Sequence, residues 1–163
     1  MKIIFLDVDG VLNSYNYILD EELNNDLIKN LKKILDNTDA KIVLSSAWRL
    51  SKEYTNQLKR RLKLLGINES IIISQTPSLE YNYIGFNQNK SKNYLARQRY
   101  YEIKHWIDMR YLCEDNDTWI AIDDLDLNPY LSSQNFVHTD PYKGLEESYV
   151  DKCINLLNRI DVR

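Results

Sequence analysis

Three short stretches hold the side chains best suited to chemistry: Asp7-Val8-Asp9-Gly10, Ser45-Ser46 and Asp123-Asp124. Each stands directly after a run of apolar residues, namely Lys2 to Leu6, Lys41 to Leu44 and Thr118 to Ile122. Ligands of an open α/β sheet bind outside the carboxyl ends of its strands. If these runs are strands of one sheet, four carboxylates and two hydroxyls converge on a single rim. Like charges a few ångströms apart raise one another's pKa, so such crowding is costly without a cation among the acids. Mg²⁺ takes one or two carboxylates and a substrate phosphate while keeping waters, and suits this all-oxygen set better than zinc. Any one of these Asp residues alone reads as a helix cap or turn residue. Together they point to a shared metal.

The elements that must position them follow from periodicity. Short apolar runs alternate with amphipathic stretches, the pattern of βα units around a largely parallel sheet. After the first run, Leu23, Leu27, Ile28, Leu31, Ile34 and Leu35 share one helical face, with Asp20 as a cap before it. Ser51 caps a second helix through Tyr54, Leu58, Leu62 and Leu65, which Gly66 ends. Ile71 to Ile73 reads as a strand, and residues 75–93, with Pro77, Gly85 and many Asn, as an irregular loop or small insert. A helix from Tyr94 to about Leu112 precedes the Thr118 run, and Asn135 to His138 forms a fifth strand. A closing helix carries Tyr149, Val150, Cys153, Ile154, Leu157 and Ile160 on its apolar face, with Glu146 and Glu147 near its positive N-terminal end.

Composition narrows the class. The 163 residues carry 21 Lys and Arg against 24 Asp and Glu, a net charge of −3, and 44% are hydrophobic. That is an ordinary globular chain, of a size for one domain spanning residues 1–163. No segment approaches the roughly 18 apolar residues of a membrane span, and the first apolar run is too short for a secretory signal. Cys113 and Cys153 cannot make a disulfide framework, and with His105 and His138 they lack zinc-site spacing. A reducing, cytoplasmic setting is expected. Nothing here speaks to oligomeric state.

The stretch Ile3-Ile4-Phe5-Leu6-Asp7-Val8-Asp9-Gly10-Val11-Leu12-Asn13 resembles the first motif of the haloacid dehalogenase (HAD) superfamily of phosphatases and phosphotransferases. The likeness spans nearly the whole chain. Val43-Leu44-Ser45-Ser46-Ala47-Trp48-Arg49, Arg99-Tyr100-Tyr101-Glu102-Ile103, and Thr139-Asp140-Pro141 with Gly144-Leu145 are similar to a minimally capped branch associated with RNA-repair multidomain proteins. The resemblance implies a HAD-like Rossmannoid three-layer sandwich around a five-stranded, mainly parallel sheet with no large cap domain. It implies that Asp7 is the nucleophile and Asp9 the general acid and base. It also implies that Gly10, Ser45 and Ser46 bind phosphate, and that Asp123 holds Mg²⁺ with Asp7 and the carbonyl of Asp9. Asp124 then acts directly or through water, and Asp126 is solvated. A phosphoryl group taken by Asp7 splits one displacement into two, while Asp9 protonates the departing oxygen and later activates water. Gly10, with no Cβ, lets the turn present backbone N–H groups to phosphate. The third motif needs a cation. Arg99 is the choice for its planar fork and fixed charge, with Arg97 and Lys104 close enough to compete.

Between Lys90 and Arg110, six cations (Lys90, Lys92, Arg97, Arg99, Lys104, Arg110) face only Glu102 and Asp108, interleaved with Tyr94, Tyr100, Tyr101 and Trp106. Basic groups beside aromatic platforms suit single-stranded nucleic acid or nucleotides; equally, basic helix faces are commonly just solvated. Trp48 and Arg49 either border the leaving-group pocket or, respectively, seal the core and pair with a helix carboxylate. His105 and His138 read as structural. The stretch after Asn13 is too short for a large cap, so an open cleft that admits an RNA or DNA end is expected. The leading expectation is a phosphatase for nucleic-acid ends or nucleotides. A phosphatase for small phosphometabolites or phosphoproteins is the alternative. A receiver-like signalling module fits less well, because its acceptor Asp follows the third strand, which here ends in Ile73-Ser74.

Overall fold

The computed structural model describes residues 1–15, 23–79, 92–110 and 117–159. Strands β1 (Lys2–Leu6), β2 (Lys41–Leu44), β3 (Ile72–Gln75), β4 (Thr118–Asp123) and β5 (Phe136–His138) alternate with helices α1 (Asn25–Thr38), α2 (Lys52–Leu64), α3 (Lys92–Arg110) and α4 (Val150–Leu157). The sheet runs β3-β2-β1-β4-β5, every pairing parallel. Chain order reverses between β1 and β4. That places the topological switch point, where α/β sheets bind ligands, between β1, which Asp7 follows, and β4, which ends at Asp123.

Both faces of the sheet are covered, as parallel sheets require. Alternation along β1 sends Ile4 and Leu6 into one core with Ile28, Leu58 and Cys153, so α1, α2 and α4 share that face. Ile3 and Phe5 face a second, smaller core built on Ala96, Ile103 and Trp106 of α3. Phe5 meets Trp106 and Trp119 edge-to-face, at 5.3 and 5.7 Å between ring centroids, the geometry favoured by ring quadrupoles. The result is the expected three-layer α/β sandwich.

Local differences from expectation have physical causes. Asn24 caps α1, its side chain accepting from the N–H groups of Asp26 and Leu27; the helix starts at Asn25, and a cap must directly precede the first helical residue. Asp20 lies outside the described residues. The helix also runs beyond Leu35 to Thr38, where Asp39 adopts φ +55° and closes it. Ser51 caps α2 as expected, and Gly66, at φ +79°, follows its end. The closing helix begins with a 3-10 turn at Glu147–Tyr149, and Ile160 lies outside the described residues. The stretch read as an insert, 75–93, overlaps the last residue of β3 and the first two of α3; its residues 80–91 are not among those described.

Candidate active site

Register alone builds the centre of the site. Leu6 pairs with Leu44 on one side and Ile122 on the other, so Ser45, Asp7 and Asp123 stand abreast at the carboxyl edge. Two bonds hold them level: the Asp7 N–H donates to the Ile122 carbonyl at 3.1 Å, and the Ser45 N–H to the Leu6 carbonyl at 2.8 Å. All three side chains are buried. Oxygens of Asp7, Asp123 and Asp124 lie within 4.8 Å of one another. The Ser45 hydroxyl is buried and finds no hydrogen-bond partner among the described residues. A buried hydroxyl left unmatched costs free energy comparable to a lost hydrogen bond, so its position fits an oxygen brought by a ligand.

Of the three cations weighed for the third motif, Arg99 is the one placed against the acids. Its Nη1 pairs with Asp123 and lies 3.5 Å from Asp7. Arg97 sits over the Tyr101 ring and Lys104 pairs with Asp108. Burial works against the charge of Arg99, but Asp123 and then Asp7 outweigh it and hold the guanidinium firmly protonated. Burial pushes the Asp123 carboxyl well above the usual carboxylate range, opposed by Arg99 and reinforced by Asp7. Burial and then Asp7 push Asp124 up to about 6. One guanidinium therefore does not neutralise this group of acids. Asp126 is exposed and bonded to Asn128, as expected for a solvated turn residue.

Asp9 is held on both oxygens, accepting from Asn13 Nδ2 at 3.1 Å and from Trp48 Nε1 at 2.9 Å. Trp48 packs with the larger core, close to Tyr54, while its Nε1 holds Asp9. Arg49 follows the carboxylate-pairing alternative, although it borders the cleft. Its Nη2 lies 2.8 Å from Glu102, both side chains being buried. The same guanidinium donates to the carbonyls of Ser46, Thr76 and Pro77, tying the loops after β2 and β3 to α3. Burial lowers the pKa of Arg49, with Glu102 opposing.

Ser46 caps the 3-10 turn Ala47–Leu50 through its hydroxyl and lines the cleft. Gly10 adopts φ +77°, and a Cβ there would fall 2.5 Å from Asp124 Cγ, so only glycine admits the close approach of that carboxylate. The loop after β5 locks this turn: Thr139 Oγ1 donates to the Gly10 carbonyl and Leu145 N–H to that of Val11. Thr139 and Glu102 stand in the quoted motifs without a sequence signal for these roles, and Tyr15, which lines the cleft, stands in no motif. His105 and His138 are exposed, His138 meeting the Asp124 carbonyl at 3.0 Å. The cleft above the acids has a volume of about 280 Å³. On α3 it is lined by Leu95, Gln98, Arg99 and Glu102, spaced as one helical stripe.

A family model, the HAD domain in Swiss Army Knife RNA repair proteins, matches residues 3–150. The chain belongs to this family. No curated protein and no solved structure matches it.

The residues of this HAD domain fit the divalent metal that HAD phosphatases generally use. The Asp7, Asp123 and Asp124 group offers only carboxylate oxygens, the donors of a hard cation, and it carries more negative charge than Arg99 offsets. The sign of the pH dependence follows from Asp124. Its folded pKa is raised to about 6, so the folded state holds a proton that the unfolded chain has lost. This contribution to stability is full below about pH 4 and disappears as pH rises through about 6. In EDTA, the HAD domain should lose stability over that interval, and Mg²⁺ should restore it. At a hundred-fold excess over its dissociation constant the ion adds about 2.7 kcal/mol, which thermal unfolding resolves as several degrees at about pH 7.5 and less at about pH 5. Equal shifts at both pH values would contradict carboxylate ligation.

Proposed function

We propose that this HAD domain, acting as one unit over residues 1–163, is a Mg²⁺-dependent phosphomonoesterase that works through a phosphoryl-Asp7 intermediate on nucleotide or nucleic-acid terminal phosphates. The observation that carries the reading is the unmatched, buried Ser45 hydroxyl standing level with Asp7. It supports a phosphoryl oxygen as the missing acceptor. An Asp7 oxygen attacks phosphorus, the bond to the leaving oxygen breaks, and Asp9 delivers its proton to that oxygen. Asp9 then takes a proton from water as the water attacks phosphorus and frees Asp7. Ser45 donates to the transferring group, and Arg99, 3.5 Å from Asp7, offsets its charge. Asp7, Asp123 and Asp124, with the Asp9 carbonyl, would hold Mg²⁺, and the bound ion would supply positive charge to offset that of the phosphoryl group.

The grip of Trp48 on Asp9 bears on the acid step. Trp48→Phe keeps the ring and removes one charge-assisted donor, a loss of about 1.5 kcal/mol and hence about ten-fold in kcat, with KM little changed. Steady-state kinetics check this. Equal kcat would mean that Asp9 needs no such clamp.

The nucleic-acid part of the reading is supported by the RNA-repair proteins in which this family of HAD domains occurs. Phosphate release from 5′- and 3′-phosphorylated oligonucleotides, nucleotides, sugar phosphates and a phosphopeptide tests it. Preference for the nucleotide substrates is the expected result. Equal or better turnover of sugar phosphates or the phosphopeptide would move the assignment to a small phosphometabolite or phosphoprotein. No helix among the described residues is long and apolar enough to cross a membrane. A reducing, cytoplasmic setting suits Cys153, which is free and buried, with its thiol pushed up by burial to about 12.

A further inference from the structure

The mouth of the cleft differs in chemistry from its floor. Asp7, Asp9 and Arg99 make the floor polar, while Tyr15, Leu50 and Leu95 line the same cleft and are 41%, 65% and 38% exposed. Scattered apolar side chains on a surface need no explanation, but three gathered on the wall of one polar site do. The Tyr15 ring is anchored. The Tyr15 backbone N–H donates to the Pro141 carbonyl at 2.9 Å, and the ring stands edge-to-face with Tyr142 at 5.9 Å and 82°. Tyr142 is fixed in turn by a bond from its N–H to Asp140 Oδ1 at 2.9 Å. Burial, then the charges of Asp124, Asp9 and Asp7, raise the pKa of the phenol, so Tyr15 keeps its proton.

Among the described lining residues, the cations are already engaged. Of the described lining residues, Arg49 and Arg99 are the cationic ones, and each is paired with a buried acid. On α3, Arg110 and Arg97 lie over the Trp106 and Tyr101 rings, and Lys104 pairs with Asp108. A long polyanion needs a track of cations along its backbone, whereas this cleft provides a seat for one phosphoryl group beside a flat apolar face.

We propose that Tyr15, braced by Tyr142, is the stacking platform for the base of the terminal nucleotide, with Leu50 and Leu95 completing the apolar wall. Recognition thus stops at that nucleotide. This inference rests on the nucleotide-phosphatase reading and deepens it. An anchored ring stacks a base with little ordering cost, and stacking tolerates every base because each has a π-face.

The test compares kcat/KM for a nucleoside monophosphate, a terminally phosphorylated ten-nucleotide strand and ribose phosphate, in wild type, Tyr15→Phe and Tyr15→Ala. Wild type should favour both nucleotide substrates over ribose phosphate. Their kcat/KM values should agree within about three-fold, with a salt dependence of about one phosphate contact. Tyr15→Ala should lower the nucleotide-to-ribose phosphate ratio about ten-fold, chiefly through KM, while Tyr15→Phe preserves it. Should Tyr15→Ala fail to fold, quenching of a 5′-terminal 2-aminopurine nucleotide phosphate on binding to Asp7→Asn, retained on adding Tyr15→Phe and lost on adding Tyr15→Leu, reads the same contact. A ratio unchanged in Tyr15→Ala, or a strand turned over far faster than the mononucleotide, overturns the platform while leaving the phosphatase reading intact. No wild-type preference for nucleotides over ribose phosphate overturns the platform together with the nucleotide part of the proposed function.

Discussion

Asp7→Asn is expected to abolish phosphate release, by at least about 10³-fold in kcat, while leaving the protein folded. The amide keeps the size of the side chain but is a poor nucleophile, and among the described residues Asp7 is the carboxylate that follows the strand lying between β2 and β4. Stability should move the other way. Asp7 raises the pKa of both Asp123 and Asp124, so its neutralisation relieves repulsion among buried acids. A melting temperature in EDTA at or above that of wild type is therefore expected. Near-wild-type turnover in Asp7→Asn would move the nucleophile elsewhere, and a collapse in stability would make the residue structural.

Glu102→Gln should produce the largest loss of stability of any conservative change at the site. It leaves the buried Arg49 guanidinium without its carboxylate, a change that costs about 3–5 kcal/mol. That is a large share of the 5–15 kcal/mol that holds a typical domain, and it lowers the melting temperature by about 10 °C. The loss should reach activity as well. Glu102 stands one turn from Arg99 on α3, accepts from Gln98 and from the Leu79 N–H, and supports the charge of Arg99. Replacing both partners together, Arg49→Met with Glu102→Leu, should cost less than Glu102→Gln alone, because no unpaired charge remains buried. Thermal and urea unfolding of the set measure this. Single and double variants with additive effects would mean that the pair is not coupled.

The rim was legible in the sequence because each strand ends in a sharp change from apolar to polar residues. With parallel strands of similar length, that change marks a common level, which is why Asp7, Ser45 and Asp123 could be grouped before any register was seen. Asn24 was harder to see, because both it and Asp20 are capping types near the start of an apolar stripe, and only the first helical residue separates them. Trp48 and Arg49 carried two readings each. The choice depended on Asp9 and Glu102, which lie on other elements and leave no local trace in the chain. The basic run in α3 likewise carried two readings. Composition records its charge, but only the packed helix shows that Arg99 turns to the acids, Trp106 turns to the core and Lys104 pairs with Asp108. Tyr15 follows the first motif with no periodicity to mark it, and its place on the cleft wall depends on the Pro141 loop.

The most direct measurement is a rapid quench of the Mg²⁺-loaded protein with a terminally phosphorylated oligonucleotide, followed by borohydride reduction and peptide mass spectrometry. An acyl phosphate is reduced to an alcohol, so residue 7 should appear as homoserine only when substrate is present, and Asp7→Asn should show none. Turnover without substrate-dependent reduction at residue 7, or reduction at Asp9, Asp123 or Asp124 instead, would contradict phosphoryl transfer through Asp7.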